Sequence, residues 1–358
     1  MAVTSQTGKL SFGAQSAKES YAATFYQHLA SGIDLSAFSD DRLGDPEVGG
    51  VSTPTIPYRA GVMATGGATI NPRLEDTFGW LLHGLSGAWS VTADEDVFGT
   101  TETGFQHHEF TFASDEGYVP YMTFRKEIPA VASTEYLGEI YGDCKILNAA
   151  FALPNDNLIS ARVDVLGRAA DTLFDDNPSF SYDNTQMESY VSVPIGCTVG
   201  GYLKVPSFSA NALPVTQATI VFQNQPLDVR QEKNFGSPYL DEVTIVGRQM
   251  MVDMILKWKD PQLYLDILTG STTGTVWNSS PYVNDLDIYA LSPDPIVGTT
   301  PYQIRFQAPE LMYQIVGGIE LAGNQAVMMR VRGTAIANTQ YYYTIHLGNE
   351  QTAYTWPT

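Results

Sequence analysis

Cysteine is nearly missing from this chain. Cys144 and Cys197 are the two present among 358 residues, which excludes any disulfide framework beyond one bridge. They sit in no metal-ligand spacing, so two buried, reduced thiols are expected, as suits assembly in a reducing cytoplasm. Bases are also scarce. Nineteen Lys and Arg face 39 Asp and Glu, a net charge of −20. A chain so acidic repels phosphates rather than binding them, although it can enclose a nucleic acid without holding it. Residues 1–190 carry 26 acids and 10 bases, and two stretches, Val91–Gly117 and Asp171–Ser189, have no base at all. They read either as solvated loops that keep the protein soluble or as a surface that repels a polyanion. No run of 18 apolar residues occurs, so no membrane span is expected. The first fifteen residues lack a basic segment followed by an apolar one, so no signal peptide is expected.

Signatures of catalysis are missing as well. Gly66-Gly67 lies in Ala-Thr-Gly-Gly-Ala-Thr without the lysine of a phosphate loop, and no serine sits in a G-x-S-x-G turn. His107-His108-Glu109 is the one histidine cluster. His107 and Glu109 share a strand face, but no third ligand follows at a metal-binding spacing. Asp94-Glu95-Asp96 and Asp175-Asp176-Asn177 match no calcium loop, and nothing selects a pair of carboxylates for glycoside cleavage. Tyr341-Tyr342-Tyr343 lies beside no basic patch and reads as packing. No catalytic residue, metal or cofactor is expected.

Alternation of apolar and polar residues is abundant, and long helical periodicity is scarce, which points to a mainly β fold. In Leu158–Gly167, Ala161, Val163 and Val165 face one way and Ser160, Arg162 and Asp164 the other. Val327–Gly333 repeats the pattern with Val327, Met329 and Val331. Each follows a turn-rich tip, as the return strand of a hairpin does. Two short helices are expected. Pro72–Gly87 carries Leu74, Phe78, Leu81, Leu82 and Leu85 at helical spacing, and Asp260–Gly270 opens on Asp-Pro and closes on Gly. Together with Pro120–Arg125 against Pro301–Phe306, these landmarks occur twice in one order and suggest a divergent tandem duplication. The expected domains are 1–190, which includes an N-terminal arm, and 191–358, joined by an acidic linker near Ala169–Pro194. The arm, Met1–Ser20, shows no core pattern. Ser39–Pro57 and Asp228–Tyr239 read as long loops.

Several segments together resemble the major tail tube protein of phages with long, flexible, non-contractile tails. Gly8–Gly13, Ala22-Ala23-Thr24 and Ile33–Ser36 are similar to the family's N-terminal arm. Ala68-Thr69-Ile70, leading to Leu81-Leu82, resembles its first sheet strand and helix. His108-Glu109-Phe110, Pro120–Phe124 and Tyr141–Ile146 resemble the strands that follow, and Phe235–Tyr239 with Ile245–Arg248 is the most specific stretch. The resemblance implies two tandem tail-tube-type β-sandwich or barrel domains, each with a short helix and long loops. It implies a non-enzymatic virion protein, assembled in the host cytoplasm, whose rings stack into a hollow tube for DNA ejection. A chain with two copies would close a pseudo-sixfold ring as a homotrimer.

The implied partners are the chain itself, the tape measure protein and viral DNA held without specific binding in the lumen, and the tail terminator and distal tail proteins, with no membrane. The candidates for a lumen-facing position are the polar residues Asp143, Asp156, Asp164, Asp253 and Glu320. Arg330 and Arg332, on the same face of the second hairpin, depart from a uniformly acidic lining and are expected to pair with acids across subunit interfaces. The inter-ring stacking loop is expected at Arg230, Glu232, Lys233, Asn234, Phe235, Gly236 and Ser237. The competing readings are a tail terminator, distal tail or decoration protein, or an acidic secreted β-sandwich hydrolase or carbohydrate-binding protein.

Overall fold

The computed structural model describes residues 8–46, 48–51, 53, 56–75, 77–112, 119–129, 136–155, 157–175, 181–182, 215–258, 261–270, 276–297, 300–319, 326–336 and 343–357. Within them the fold is mainly β, with seventeen strands and two short helices. The first half holds β1 (Lys9–Ala14), β2 (Thr24–His28), β3 (Ala30–Ile33), β4 (Ser36–Leu43), β5 (Pro57–Ile70), α1 (Phe78–Ser86), β6 (Ala88–Glu95), β7 (Thr101–Thr111), β8 (Met122–Pro129), β9 (Tyr136–Pro154), β10 (Ser160–Asp175) and β11 (Ser181–Tyr182). The second half holds β12 (Val215–Pro226), β13 (Ile245–Lys257), α2 (Pro261–Thr269), β14 (Val283–Val297), β15 (Thr300–Ile315), β16 (Met328–Ala335) and β17 (Thr344–Asn349).

The main sheet runs β4·β5·β10·β9·β12·β13·β16·β15, and every neighbouring pair in that order is antiparallel. A four-strand pattern recurs in it. The strand preceding the helix (β5, β13) pairs on one side with the strand before it (β4, β12). On the other side it pairs with the return strand of a hairpin (β10, β16), whose mate (β9, β15) comes last. Each hairpin mate also has a partner of its own on the other side, β8 along β9 from Tyr136 to Cys144 and β14 along β15 from Thr300 to Met312. Pro120–Arg125 and Pro301–Phe306 therefore fall at topologically different places. The first runs into β8 and the second lies in β15, so this landmark does not mark equivalent strands.

Both helices end on glycines in the left-handed region, where a side chain would be strained. Gly87 (φ 80°) closes α1 by donating to His83 O at 2.8 Å, and Gly270 (φ 72°) closes α2 by donating to Asp266 O at 2.9 Å. The helix expected from Pro72 starts only at Phe78, and every residue of α1 is buried. Burial, rather than helix propensity, holds so short a segment.

One hydrophobic core extends from Leu10 to Tyr354 and draws on both halves. Phe112 and Phe222 stack at 4.9 Å, and Phe151 lies 4.9 Å from Phe306. On the far side of the first half, β17 joins β7 to β15. The segment after β17 returns to α1. Tyr354 is fully buried, its carbonyl lies 2.6 Å from His83 Nδ1, and Trp356 Nε1 donates to Gln15 O at 3.0 Å. The expected featureless N-terminal arm is corrected in part. Lys9–Ala14 is strand β1, paired with β2 and β8, with Leu10 and Phe12 in the core. The loop expected at Ser39–Pro57 begins later, because Ser39–Leu43 completes β4. The linker expected near Ala169–Pro194 is corrected in part, since Ala169–Asp175 completes β10 and Ser181–Tyr182 is β11, while its residues 176–180 and 183–194 lie outside the described residues, as do 195–214.

Candidate functional site: the outward sheet face and its two ends

Alternation decides what each face of the main sheet presents. Ala161, Val163, Ala149, Phe151, Ile220, Phe222, Val252, Met254 and Val331 point into the core. Their neighbours form an outward face. Arg162 sits at its centre in the first half. Its guanidinium donates to Asp34 at 2.7 and 2.8 Å and to Asp164 Oδ1 at 2.6 Å, while Asn148 Nδ2 donates to Asp164 Oδ2 at 3.1 Å. The hydrogen bond from Arg162 holds the Asp34 carboxyl below the usual carboxylate range. In the second half, Arg332 donates to both oxygens of Asp253 at 3.0 and 3.1 Å, and Arg330 approaches the same carboxylate at 3.5 Å. Three carboxylates are thus met by three guanidiniums. Small and apolar groups, among them Ala150, Ala152, Val221 and Met251, lie between the two clusters and are half-buried.

The sequence candidates for this face divide. Asp164 and Asp253 lie on it. Asp143 does not: it is 5% exposed, with φ at 50°. Gln15 Nε2 and the Glu19 amide both donate to its Oδ1 at 2.8 Å, and its own amide donates to Gln15 Oε1 at 2.8 Å. It therefore fastens the N-terminal segment to β9, and the alternation that put it on the polar face fails at this positive φ. Asp156 and Glu320 lie outside the described residues. Asp34 and Asn148 were not singled out from the sequence, although the alternating Arg162 and Asp164 already marked the face they belong to.

Gly66 and Gly67 serve close packing. A Cβ on Gly66 (φ 107°) would come within 2.5 Å of Asp34 O, and one on Gly67 within 1.9 Å of Val163 O, so β5 fits between the β3–β4 turn and β10 only without side chains there.

The connection between β12 and β13 carries the expected stacking residues. Lys233 Nζ donates to Ala60 O at 3.0 Å, Val62 donates to Pro238 O at 2.8 Å, and Thr244 donates to Glu232 Oε1 at 3.1 Å. Leu240 and Val243 pack with Leu166 in a second, smaller cluster. The loop is thereby tied to β5 of the other half. Arg230, Asn234, Phe235 and Gly236 are exposed at its tip, Ser237 is half-buried, and the Phe235 ring has no cover at all.

The histidine cluster is absorbed by the fold. Trp89 Nε1 donates to His108 Nδ1 at 3.1 Å, which leaves Nε2–H to donate to Asn349 Oδ1 at 3.0 Å. His107 lies 2.9 Å from His346 and 3.2 Å from Glu95. No group of three metal-ligating side chains occurs among the described residues. No helix among them is long and apolar enough to cross a membrane. Cys144 is a free, buried thiol whose pKa burial raises, and Cys197 lies outside the described residues. Tyr343 packs on Phe112 and Phe222, while Tyr341 and Tyr342 lie outside the described residues.

The sequence reasoning missed how the halves meet. Residues Gln217–Gln223 of β12 pair with Asn148–Pro154 of β9. Asn224, 1% exposed, seals this join by donating from Nδ2 to Ile146 O at 2.8 Å and to Leu85 O, in the last turn of α1, at 3.0 Å. Burial alternates along this strand through Ala218, Ile220, Phe222 and Asn224, but no local pattern names its partner. Comparison with protein-family models and with curated proteins finds no match for this chain.

Proposed function

We propose that this chain is the tube subunit of a long, flexible phage tail. Three copies close a pseudo-sixfold ring, and rings stack into a hollow tube through which double-stranded DNA passes. The observation that carries this reading is the recurrent four-strand order, whose two units are joined edge to edge by β9 and β12. A head-to-tail join of this kind, repeated between chains, gives a closed ring or an open fibre. An antiparallel order of eight strands returns the strand sense to its start, so a second copy can follow β15 with β4 in the same alternation.

In this reading the outward face lines the channel. The pairing of Asp34, Asp164 and Asp253 with Arg162, Arg330 and Arg332 leaves a wall whose charges are spent on each other. Such a wall offers a polyanion neither a line of bases to stick to nor a strong field, as passage without recognition requires. The role includes no reaction and no cofactor. Its partners are other copies of the chain, DNA and the tape measure protein within the lumen, and the terminator and distal tail proteins at the ends. Its place is the virion.

Electron microscopy of the purified protein at low and high concentration tests the proposal. Hollow tubes with a regular axial repeat are expected, with three chains per ring. Isolated rings that never stack would indicate a terminator or decoration protein instead. Compact monomers at every concentration, also in the presence of tail-tip components, would refute it. Phe235→Ser is expected to leave rings intact and abolish stacking.

A further inference from the structure

We infer that the groove at the end of α2 is the seat of the β3–β4 edge of a second copy of this chain. The inference rests on the ring reading and adds which two surfaces meet. In the first half, β9 is flanked by β8 as far as Cys144, and β12 takes over that edge from Asn148. The incoming strand lies beside the end of α1, where Asn224 touches Leu85 O. In the second half, β15 is flanked by β14 as far as Met312, with one further bond from the Tyr313 amide to Tyr282 O at 2.9 Å. Beyond it, Gln314 and Ile315 have a strand partner only on the β16 side among the described residues.

At this point the structure opens into a groove of about 390 Å³ beside the last turn of α2 and the exposed Trp277. It occupies, relative to β15 and α2, the place that β12 fills relative to β9 and α1. The open edge also has hydrogen-bonding capacity. Amides alternate sides along a strand, and Tyr313 donates toward β14 while Val316 donates to Arg330 O on the β16 side. The Ile315 amide therefore points into the groove.

The complementary edge lies at the other end of the sheet. β3 and β4 pair with β5 on one side, and among the described residues no strand covers their other side. They stand to β5 as β12 stands to β13. Ser36, Phe38 and Asp40 oppose Thr65, Met63 and Gly61, which sets them on the outward face together with Gln314.

Cysteine pairs test the contact in the full-length chain: Gln314→Cys combined in turn with Ser36→Cys, Phe38→Cys or Asp40→Cys. After mild oxidation, one of the three double variants is expected to give covalent chains between subunits ending in a closed trimer. The single variants and the wild type, with its native Cys144 and Cys197, remain monomeric on a denaturing gel. Ile315→Pro is expected to keep the monomer's thermal transition and lose rings. Tubes that form without a crosslink from any of the three pairs, or that survive Ile315→Pro, would overturn the contact and leave the ring reading standing. Failure of the wild type to assemble would overturn both.

Discussion

Replacing Asn224 by alanine removes a buried polar side chain that seals the join between β9 and β12. Its amide donates at 2.8 Å to Ile146 O and at 3.0 Å to Leu85 O, and it is buried on all sides. Carbonyl oxygens only accept, so the two contacts fix which end of the amide is nitrogen. A buried hydrogen bond that loses one partner costs about 1–3 kcal/mol. Asn224 Oδ1 has no partner among the described residues, so losing it returns part of that cost. A net destabilisation of about 2 kcal/mol is expected. Asn224→Asp should be worse at neutral pH, because a carboxylate would face two carbonyl oxygens in a buried site. Its deficit relative to wild type should shrink as the pH falls and the new carboxyl protonates. Urea unfolding of the unassembled subunit measures all three proteins, with an unchanged slope and a lowered midpoint expected for Asn224→Ala. A loss under about 0.5 kcal/mol, or an aspartate variant as stable as the alanine one, would refute the assigned role, since surface substitutions alone stay within that range.

Gly79→Ala should destabilise by about 1–3 kcal/mol, because the new methyl would lie 2.2 Å from the Tyr354 ring and push the C-terminal segment off α1; calorimetry reads it, and an unchanged midpoint would contradict the packing. Burial lowers the pKa values of His28 and His346 to about 3 and of His108 to about 4. The unfolded chain takes up these protons first, so stability is full above about pH 6.5 and falls toward pH 4, by about 1.4 kcal/mol per pH unit for each ring. A melting temperature flat between pH 7 and 4.5 would contradict this. Asp143→Lys should prevent folding or cost several kcal/mol, as a cation would replace the acceptor that holds Gln15 and Glu19. Asp253→Lys should change the unfolding midpoint by no more than about 1 kcal/mol, because its ion pairs are partly exposed, while it slows DNA ejection from assembled tails. Ejection at the wild-type rate would remove Asp253 from the lumen.

What could be read in the sequence was what local physics writes there. Ser160–Gly167 and Met328–Gly333 lie in β10 and β16, with Ala161, Val163, Val165, Met329 and Val331 inward as expected, because a half-buried strand must alternate; β10 runs on past Gly167 to Asp175, and Val327 precedes β16 and is half-buried. Gly87 and Gly270 mark the helix ends, because the left-handed closure of a helix favours glycine. The start of α1 was misread. Pro72 to Leu74 carry helix-like spacing but precede the first helical turn, and burial of Leu74 is served equally well by an irregular segment. The strand at Lys9–Ala14 was passed over because it contributes only Leu10 and Phe12 to the core, too few for a periodicity. Asp143 was misplaced because its orientation depends on Gln15, 128 residues earlier. The join of β9 with β12 is of the same kind, since the choice of partner is settled by what else the core can bury.

The open edges at β3–β4 and at the end of β15, unpaired among the described residues, are wasteful in a monomer. An exposed strand edge invites wrong pairing, and natural sheets blunt such edges with charge. β4 carries Asp40, Asp41 and Arg42 in its second half, with Arg42 paired to Asp40 and Arg59 to Asp41. In the equivalent strand, β12, the ladder with β9 spans Gln217–Gln223, and the backbone of Asn224 to Pro226 runs on past it. Carried over to β3 and β4, that footprint ends near Phe38, short of the charged residues. The edge can thus stay soluble through Asp40–Arg42 and still offer the uncharged stretch from Ser36 to Ser39 to one partner. Covalent linkage of the two units adds to this. One of every two joins in the proposed ring is made within the chain, where its effective concentration does not depend on how much protein is present. Only the joins between chains wait for assembly, and those are the ones guarded by charge.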